Sequence, residues 1–277
     1  MKNQNLTIII ITYNSQDHIE SCLKSIELQG IKSNILIIDN NSNDDTWKKL
    51  QIIKKTHITL VKNKINSGFA KAVNQGFRYA NRKFNSSLFL LLNPDALLGR
   101  NCLENLIKKI SSDEELGLCS PIIKNPQNNQ ILFRQGQINW WKMNTAHTTE
   151  NSSSSDYLTG CCLLIKKAVI DKINGFDERF FLYYEDTDFC LRARQNDFQI
   201  KTIPSITCFH EESRSSNSDT KNYHLVKNGL IFFHKHFSYP IRFLYFWPIF
   251  WIRLAYHTLI SRKKPVIQGL KDFYLRS

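Results

Sequence analysis

Three carboxylates stand within four residues in the segment Glu185-Asp186-Thr187-Asp188, in a chain that is otherwise strongly basic. Carboxylates packed this closely repel one another, so a fold retains them where a helix end, a metal ion or proton chemistry uses them. A helix N-terminus is the simpler alternative, because acidic side chains complement the helix dipole there. Two more acidic residues, Asp39 and Asp95, each follow an apolar run and favour the chemical interpretation.

Two segments carry residue types that bind metal ions. Asp95 comes shortly after the apolar run Leu88–Leu92, and Mg²⁺ or Mn²⁺ is commonly held by one or two carboxylates together with substrate phosphates. A turn with a helix-capping aspartate is the alternative for Asp95. His210 follows the run Ile206–Phe209 and could ligate a metal or contact a diphosphate, although a lone histidine is more often structural.

Two other segments have the residue types that a nucleotide needs. Asp39 closes an apolar run, and a carboxylate at a strand end can accept hydrogen bonds from a base or a ribose. The Asn- and Ser-rich stretch that follows it can instead form a turn and a helix cap. Gly68 begins a helical pattern, where backbone amides can approach a phosphate. No G-x-G-x-x-G or Walker pattern accompanies it, so this phosphate signal is weak by itself.

The elements that must position these residues alternate between strand and helix in the first half of the chain. Strands are predicted at Leu6–Thr12, Asn34–Asp39, Ile58–Val61 and Leu88–Leu92, and helices at Asp17–Gln29, Thr46–Lys55, Phe69–Arg82 and Asn101–Ile110. This order implies an α/β fold with a parallel, doubly wound sheet. Ligands of such sheets bind beyond the carboxyl ends of the strands, where Asp39 and Asp95 lie.

The second half is less regular. Strands are predicted at Leu116–Ile123, Tyr157–Ile165, Gln199–Ile203 and Ile206–Phe209, and helices at Lys166–Ile173 and from Glu185 to about Gln195. The polar stretch Asn125–Ser155 is predicted to be a loop or a hairpin excursion.

Composition sets the broad class of the protein. The 277 residues suit one large domain with an extension or two small domains, and 42% hydrophobic residues can form a real core. The net charge of +13 indicates anionic partners such as phosphates, nucleic acid or a lipid surface. The seven cysteines include no C-x-x-C pair, which favours reduced, mostly buried thiols in a cytosolic compartment.

The last part of the chain has a different character. Residues 221–277 hold ten lysines and arginines against one acidic residue, with a dense set of aromatics. The apolar stretch Phe243–Ile252 is too short to span a bilayer, which needs about 20 apolar residues. Basic, aromatic helices of this kind are typical of a membrane interface. A helical cap on the core and a nucleic-acid-binding segment are the alternatives. We predict domains at residues 1–215 and 216–277.

Six segments, taken in order, resemble the family 2 glycosyltransferases, and within them the bacterial rhamnosyltransferase-like branch. They are Ile8–Asn14, Ile37–Ser42, Asn66–Ala70, Leu92–Asp95, Gly175–Glu178 and Tyr184–Asp188. The resemblance covers roughly residues 6–215 and implies a GT-A fold, in which a Rossmann-like, mostly parallel sheet flanked by helices binds a nucleotide-sugar. The C-terminal helical extension would then associate with a membrane.

The same resemblance implies roles for individual residues. The donor-binding residues would be Thr12, Tyr13, Asn14, Asp39, Asn66, Gly68, Asn74 and Asn93. Of these, the first three would line the nucleotide pocket, Asp39 would contact the base, and Gly68 and Asn74 would lie near the ribose and the diphosphate.

The remaining implied roles are catalytic and metal-binding. Asp95 would be the surviving carboxylate of the family's D-x-D metal motif, whose first position is Asn93 here, and His210 would lie near the metal or diphosphate. The cofactor would be Mg²⁺ or Mn²⁺. Asp186 would be the general base, and Glu185 would hold the acceptor or tune Asp186.

The expected activity follows from these implied roles. An inverting glycosyltransferase would move a sugar, with rhamnose favoured, from a dTDP- or UDP-sugar to a hydroxyl of a growing, lipid-linked surface glycan. It would be cytoplasmic, peripheral at the inner face of the cell membrane, and would not use nucleic acid. A nucleotidyltransferase is the enzymatic alternative, but Leu6–Asp17 lacks the Gly-rich, basic loop it needs. The other alternative is a non-catalytic membrane-binding protein in which the acidic residues are only helix caps.

Overall fold

The computed structural model describes residues 5–53, 55–150, 155–211 and 218–275. The strands are β1 Leu6–Thr12, β2 Asn34–Asp39, β3 Ile58–Lys62, β4 Leu88–Leu92, β5 Ala96–Leu98, β6 Leu116–Lys124, β7 Ile131–Phe133, β8 Gln135–Asn139, β9 Asn144–Thr148, β10 Cys162–Lys166 and β11 Gln199–His210. The helices are α1 Ile19–Glu27, α2 Thr46–Ile53, α3 Phe69–Phe84, α4 Cys102–Ser111, α5 Lys167–Ile173, α6 Glu185–Gln195, α7 Ser218–His236, α8 Tyr239–Ile241, α9 Trp247–Tyr256 and α10 Lys264–Tyr274. Two π-helical turns, Arg242–Phe246 and His257–Ser261, flank α9.

One large sheet organises the chain, with its strands in the order β3-β2-β1-β4-β10-β6-β11-β5 and with β7 on β6. The first four strands of that order are parallel. β10 is antiparallel to both β4 and β6, and β11 runs parallel to β6. β5 is antiparallel to β11. The predicted α/β fold with a mostly parallel sheet is confirmed.

Continuous burial explains why the central strands could be predicted. Every residue of β1 and β4 is buried, because helices cover both faces of a parallel sheet. α3 packs on β1 and β2, and Gly76 allows a close approach: a Cβ there would lie 2.9 Å from Ile9. β1, β2 and β4 have the predicted bounds, and most other elements of the first half differ from prediction by one or two residues at an end.

The structure differs from the prediction in three details. The runs Gln199–Ile203 and Ile206–Phe209 form one strand, β11, with an irregularity between Ile203 and Thr207. β10 begins at Cys162 rather than Tyr157, since Tyr157 pairs with Gly136 of the β8–β9 hairpin instead. The three-residue strand β5 was not predicted, because a strand that short has no recognisable period.

The predicted excursion contains the antiparallel β8–β9 hairpin. Residues 151–154, in the serine-rich run, lie outside the described residues. The hairpin joins the rest of the fold through Tyr157, whose carbonyl accepts the N–H of Gly136 (3.2 Å). Trp140, just after β8, packs on aromatic rings of α7.

The C-terminal helices pack directly on this core. Phe232 and Phe233 of α7 are fully buried. Within the described part of the chain, no helix is both long enough and apolar enough to cross a membrane. The predicted boundary at residues 215 and 216 falls outside the described residues, so the division into two domains stays a prediction. All seven cysteines are free and buried, as predicted.

Candidate active site

Asp186 lies in the first turn of α6, at the carboxyl end of the sheet. Its Oδ2 accepts the backbone N–H of Gly160 (3.0 Å), and its Oδ1 accepts the N–H of Thr187 (2.7 Å). Gly160 precedes Cys161, whose carbonyl accepts the N–H of Asn93 (2.9 Å). Through this short chain of contacts, the half-buried carboxylate of Asp186 is held at the edge of the sheet where β4 ends.

The neighbouring carboxyl groups of Glu185 and Asp186 have different surroundings. Glu185 is 7% exposed, and its Oε2 has no hydrogen-bond partner among the described residues. Burial, and then the charge of Asp186, raise the pKa of Glu185 well above its usual range. Burial also raises the pKa of Asp186, but the N–H groups of Gly160 and Thr187 favour its charged form. These surroundings favour a proton on Glu185 and a negative charge on Asp186.

Asp188 belongs to a different set of contacts. Its buried carboxylate accepts Nε of Arg192 (2.7 Å), Nζ of Lys235 (2.6 Å) and pairs with Nε2 of His236 (2.8 Å). Lys235 also pairs with Asp177 (2.8 Å). The acidic cluster is therefore divided, because Asp186 faces the end of the sheet whereas Asp188 ties α6 to α7.

The loop before α6 is held in an unusual backbone conformation. Tyr183 and Tyr184 both have positive φ, 68° and 70°, which costs energy for residues with a Cβ. Asn228 of α7 donates Nδ2 to the carbonyls of Leu182 (2.7 Å) and Tyr183 (3.2 Å). The carbonyl of Phe181 accepts the first N–H of α3 (2.8 Å). α7 and α3 together fix the chain that leads into Asp186.

Replacing Asn228 by alanine is expected to lower kcat about tenfold or more, with little change in donor affinity. The fully buried amide would be lost, two carbonyls would lose their donor, and the strained loop would relax. Steady-state kinetics with separate kcat and KM values are the measurement. Asn222→Ala, at an exposed position of the same helix, is the matched control. An equal loss in both variants would contradict the positioning role.

Asp39 is fully buried at the end of β2. Its Oδ1 accepts the hydroxyls of Thr12 (3.1 Å) and Ser42 (2.5 Å), and its Oδ2 accepts the N–H of Ser42 (3.2 Å). Thr12 and Asp39 are partners in the β1–β2 register. The carboxylate thus binds the loop after β2 to the end of β1, and its contact with a base stays a prediction.

Asn40 is a residue of this edge that the sequence analysis missed as a candidate. It is buried, and its Nδ2 donates to Oδ1 of Asn66 (2.8 Å) and to the carbonyl of Gly68 (3.2 Å). Its Oδ1 accepts Nδ2 of Asn63 (3.0 Å) and the N–H of Ser67 (3.2 Å). One side chain therefore holds the whole loop between β3 and α3. Its place directly after Asp39 was the available signal.

Tyr13 and Asn14 follow β1 at the same edge. Tyr13 is 44% exposed, which leaves its ring open to a ligand. Asn14 has a positive φ of 52°, and its Oδ1 accepts the N–H of Asn43 (2.8 Å). The structure therefore brings Thr12, Tyr13 and Asn14 together with the loop after Asp39, where the nucleotide pocket is predicted.

Gly68 serves close packing at the start of α3. It has a φ of +83°, and a Cβ there would lie 2.8 Å from the carbonyl oxygen of Phe181. Its N–H donates to Oδ1 of Asn66 (3.0 Å), and the N–H of Phe69 is taken by Phe181. These two amides already have partners, so a phosphate at this helix end would have to displace them.

Asn74 braces α3 against the segment that precedes the active-site loop. Its Nδ2 donates to the carbonyl of Phe176 (2.8 Å) and to Oε1 of Glu178 (3.1 Å), and its Oδ1 accepts the N–H of Phe176 (2.9 Å). Both of its N–H donors are in use. The implied contact with ribose or diphosphate would require one of these bonds to break.

Asp95 and His210 are brought together from distant parts of the sequence. Oδ1 of Asp95 lies 3.0 Å from Nε2 of His210, because β5 and β11 pair Ala96 with His210. Both side chains are about four-fifths buried or more. Within the described residues, no group of three or more His, Cys, Asp or Glu side chains could hold a metal. A Mg²⁺ or Mn²⁺ ion beside this pair would therefore need most of its ligands from water and substrate phosphates.

Comparison with known proteins identifies the family. The sequence model described as "Glycosyl transferase family 2" matches residues 7–173, which is more than half of the chain. A second model, described as the N-terminal domain of galactosyltransferase, matches residues 142–213.

Two curated relatives match most of the chain. The N-acetylglucosaminyl-diphospho-decaprenol L-rhamnosyltransferase of Mycobacterium tuberculosis is 25% identical over 241 residues, covering 77% of this chain and 78% of that protein. The dTDP-rhamnosyl transferase RfbF of Shigella flexneri is 25% identical over 249 residues, covering 84% and 81%.

Solved structures show the fold. The mannosyltransferase PcManGT of Pyrobaculum calidifontis, solved with GDP-Man and Mn²⁺, superposes with a TM-score of 0.64 at 17% identity, covering 100% of this chain and 89% of that one. Staphylococcus aureus TarS 1–349 with UDP-GlcNAc gives a TM-score of 0.63 at 16% identity, covering 98% and 80%. The chain has a GT-A-like fold, and by the match over residues 7–173 it belongs to glycosyl transferase family 2 and catalyses glycosyl transfer.

Proposed function

We propose that the protein transfers a sugar with inversion from a nucleoside-diphosphate-sugar to a hydroxyl group, with Asp186 as general base. The position of the Asp186 carboxylate carries this proposal. It stays half-buried, accepts the N–H of Gly160 (3.0 Å) and lies at the edge of the sheet where β4 ends. Inverting transfer needs a carboxylate that takes the acceptor proton on the face opposite the leaving group.

The raised pKa of Asp186 suits this task. A base is most effective when its pKa approaches the working pH, and burial moves Asp186 in that direction. Burial favours a proton on Glu185, so the negative charge stays on Asp186, which would face the acceptor. The hydrogen bonds from Gly160 and Thr187 keep the Asp186 carboxylate oriented.

Asp95 and His210 would hold Mg²⁺ or Mn²⁺ in this proposal. The ion would neutralise charge on the departing nucleoside diphosphate. The residues after β1 and β2, including Tyr13 and Asn14, would bind the nucleotide at the neighbouring strand ends. The protein's own contribution is to align the donor between this edge and Asp186.

The names of the relatives support the donor and acceptor classes. The S. flexneri relative is named for dTDP-rhamnose, and the M. tuberculosis relative for rhamnosyl transfer to a diphosphate-linked prenyl lipid. We propose rhamnose as the transferred sugar, dTDP or UDP as the nucleotide, and a lipid-linked surface glycan as the acceptor.

The C-terminal surface supports peripheral contact with the inner face of the cell membrane. Large apolar side chains are exposed on α8, α9, α10 and the turns between them: Tyr239, Phe243, Leu244, Trp251, Ile252, Tyr256, Leu259, Ile260, Tyr274 and Leu275. Arginines and lysines accompany them, and no acidic residue other than Asp272 lies in this part of the chain. Exposed apolar rings edged by cations are suited to an anionic lipid surface.

A donor panel tests the proposed function. We expect one dTDP- or UDP-sugar to bind and to be turned over slowly, with faster turnover when Mg²⁺ or Mn²⁺ is present. Asp95→Asn should lower the metal-stimulated rate at least about tenfold, because the ion that stabilises charge on the leaving group loses a carboxylate ligand. Asp197→Asn is the matched control, since Asp197 is exposed in a turn after α6.

The outcomes of this panel are distinct. Failure of every donor to bind with either ion would refute the proposed function. Full metal-stimulated activity in Asp95→Asn would instead remove Asp95 from the metal site and leave transfer itself standing.

A further inference from the structure

A cavity of about 270 Å³ lies between α7, α9, α10 and the turn of the β8–β9 hairpin. Tyr184, the residue before Glu185, forms part of its wall. Gly229 of α7 also lines it, and a Cβ there would lie 3.1 Å from the hydroxyl of Tyr184. The cavity is therefore joined to the strained loop that positions Asp186, although none of the roles assigned above uses it.

Three basic residues contribute to the wall: Lys142, Arg253 and His257. Arg253 donates one Nη2 hydrogen bond to the carbonyl of Lys142 (2.8 Å), which leaves other donors of its five. Nδ1 of His257 is buried and has no hydrogen-bond partner among the described residues. In the part of the chain that the structure describes, no acidic side chain lines the cavity, so the basic part of its wall is complementary to an anion.

The pKa values of Arg253 and His257 are both lowered. Burial lowers the pKa of Arg253, and burial followed by the charges of Lys263 and Arg253 lowers the pKa of His257. An anionic group in the cavity would oppose both shifts and favour the protonated forms of Arg253 and His257.

Most of the remaining wall is apolar. Aliphatic side chains from α7 and α10 line the cavity together with the basic residues: Leu225, Val226, Leu230, Val266 and Leu270. The helix α9 that carries Arg253 also exposes Trp251 and Ile252 on the surface. A ligand that matches this cavity combines an anionic head with a hydrocarbon chain.

We propose that this cavity binds the phosphate-bearing end of the acceptor lipid, with its phosphate on Arg253, His257 and Lys142 and its first hydrocarbon units on the aliphatic wall. This inference rests on the proposed function, because it takes the acceptor to be lipid-linked. The volume is below the 300–1,000 Å³ of sites that enclose whole ligands, so the rest of the chain leaves along the apolar C-terminal surface. The attached sugar then extends past Tyr184 toward Asp186.

A soluble prenyl diphosphate, farnesyl diphosphate, is the probe. Its binding is measured by calorimetry on the full chain with saturating dTDP or UDP, which occupies the donor site. Inorganic diphosphate and farnesol test the head and the tail separately. We expect farnesyl diphosphate to bind at least about tenfold more tightly than inorganic diphosphate or farnesol, since it contacts both the basic and the aliphatic residues of the cavity.

Two variants test the location. Arg253→Gln removes a cationic donor, and Val266→Phe fills the cavity from α10 without changing charge. Each should lower the affinity for farnesyl diphosphate at least about tenfold. Lys271→Gln, an exposed cation of α10 that does not line the cavity, should bind like the parent. Thermal melting accompanies each variant, so a folding defect in one leaves the other as the test.

Three outcomes would overturn the inference. Parent-like binding by both folded variants would place the lipid elsewhere, and absence of farnesyl diphosphate binding would leave the cavity without this ligand. Equal competition by vesicles of anionic phospholipid would assign the cavity to bulk membrane lipid instead of the acceptor. Donor hydrolysis by the parent protein, measured without acceptor, separates these results from failure of the proposed function.

Discussion

Replacing Asp186 by asparagine is expected to lower kcat by about 10²- to 10⁴-fold, the usual contribution of a general base. The amide keeps the size of the carboxylate, so the donor should bind as before. Oδ2 of Asp186 accepts the N–H of Gly160 and Oδ1 that of Thr187, and a correctly rotated amide preserves only one of these bonds. The measurements are kcat with donor and acceptor and the donor dissociation constant.

The pH dependence of the parent protein is part of the same expectation. Asp186 acts as a base only when it is ionised, so activity falls as the pH falls through its pKa. Because burial raises that pKa, the acid limb should lie above the value of about 3.9 for an ordinary aspartate. The small residual activity of Asp186→Asn should lack this limb.

Asp197→Asn supplies the comparison, because Asp197 is exposed at a positive φ of 66° that asparagine also tolerates. It should retain parent activity and the parent pH profile. Substantial turnover by Asp186→Asn with the acid limb intact would assign the base to another residue and favour a capping role for the whole acidic cluster.

The sequence was sufficient to predict the parts of the fold that depend on continuous burial. β1, β2 and β4 are runs of apolar residues, and their bounds were predicted correctly. Parallel strands that end together bring the following residues to one edge, and this places Thr12 beside Asp39 (3.1 Å) as that argument requires.

Long-range contacts are what the sequence could not show. Asn40 has one local signal, its place directly after Asp39, whereas nothing in the sequence around Asn228 marks it as important. Asn228 becomes important because it lies 46 residues from Leu182 in sequence and 2.7 Å from its carbonyl in space. Such a role appears only when α7 has been placed on the loop before α6.

The sequence could predict part of the division of the acidic cluster into two sets of contacts. Residues two apart on a helix project to different sides, so Asp186 and Asp188 could not share one site once α6 was assigned. The partners of Asp188 could not be foreseen, because Lys235 and His236 lie in α7, more than 40 residues away. These contacts hold α7 against α6, which agrees with a helical cap on the core, one of the alternatives for the basic, aromatic segment.

Asp188→Asn should therefore destabilise the protein by about 3 kcal/mol, the lower part of the range for breaking a buried ion pair. The substitution leaves Lys235 and Arg192 beside a neutral amide in a site where the Asp188 side chain is fully buried. Lys235 keeps Asp177 as a partner, which moderates the loss. Urea unfolding at neutral pH measures the difference, and Asp45→Asn, which breaks an exposed pair with Lys48, should leave the unfolding midpoint nearly unchanged.

The stabilities of the parent and of Asp188→Asn should also be compared at acid pH. Burial alone would raise its pKa, but the hydrogen bond with His236 and the charges of Arg192 and Lys235 hold the pKa below its usual range. The stabilisation is therefore fully present above about pH 4, the unfolded value, and is lost as the pH falls through the lower folded pKa. The difference in the free energy of unfolding between the parent and Asp188→Asn should become smaller over that pH interval. If Asp188→Asn has the same urea unfolding midpoint as the parent at neutral pH, the cost of desolvating these charges offsets the attraction of the ion pairs. Apolar packing alone would then hold α7 against α6.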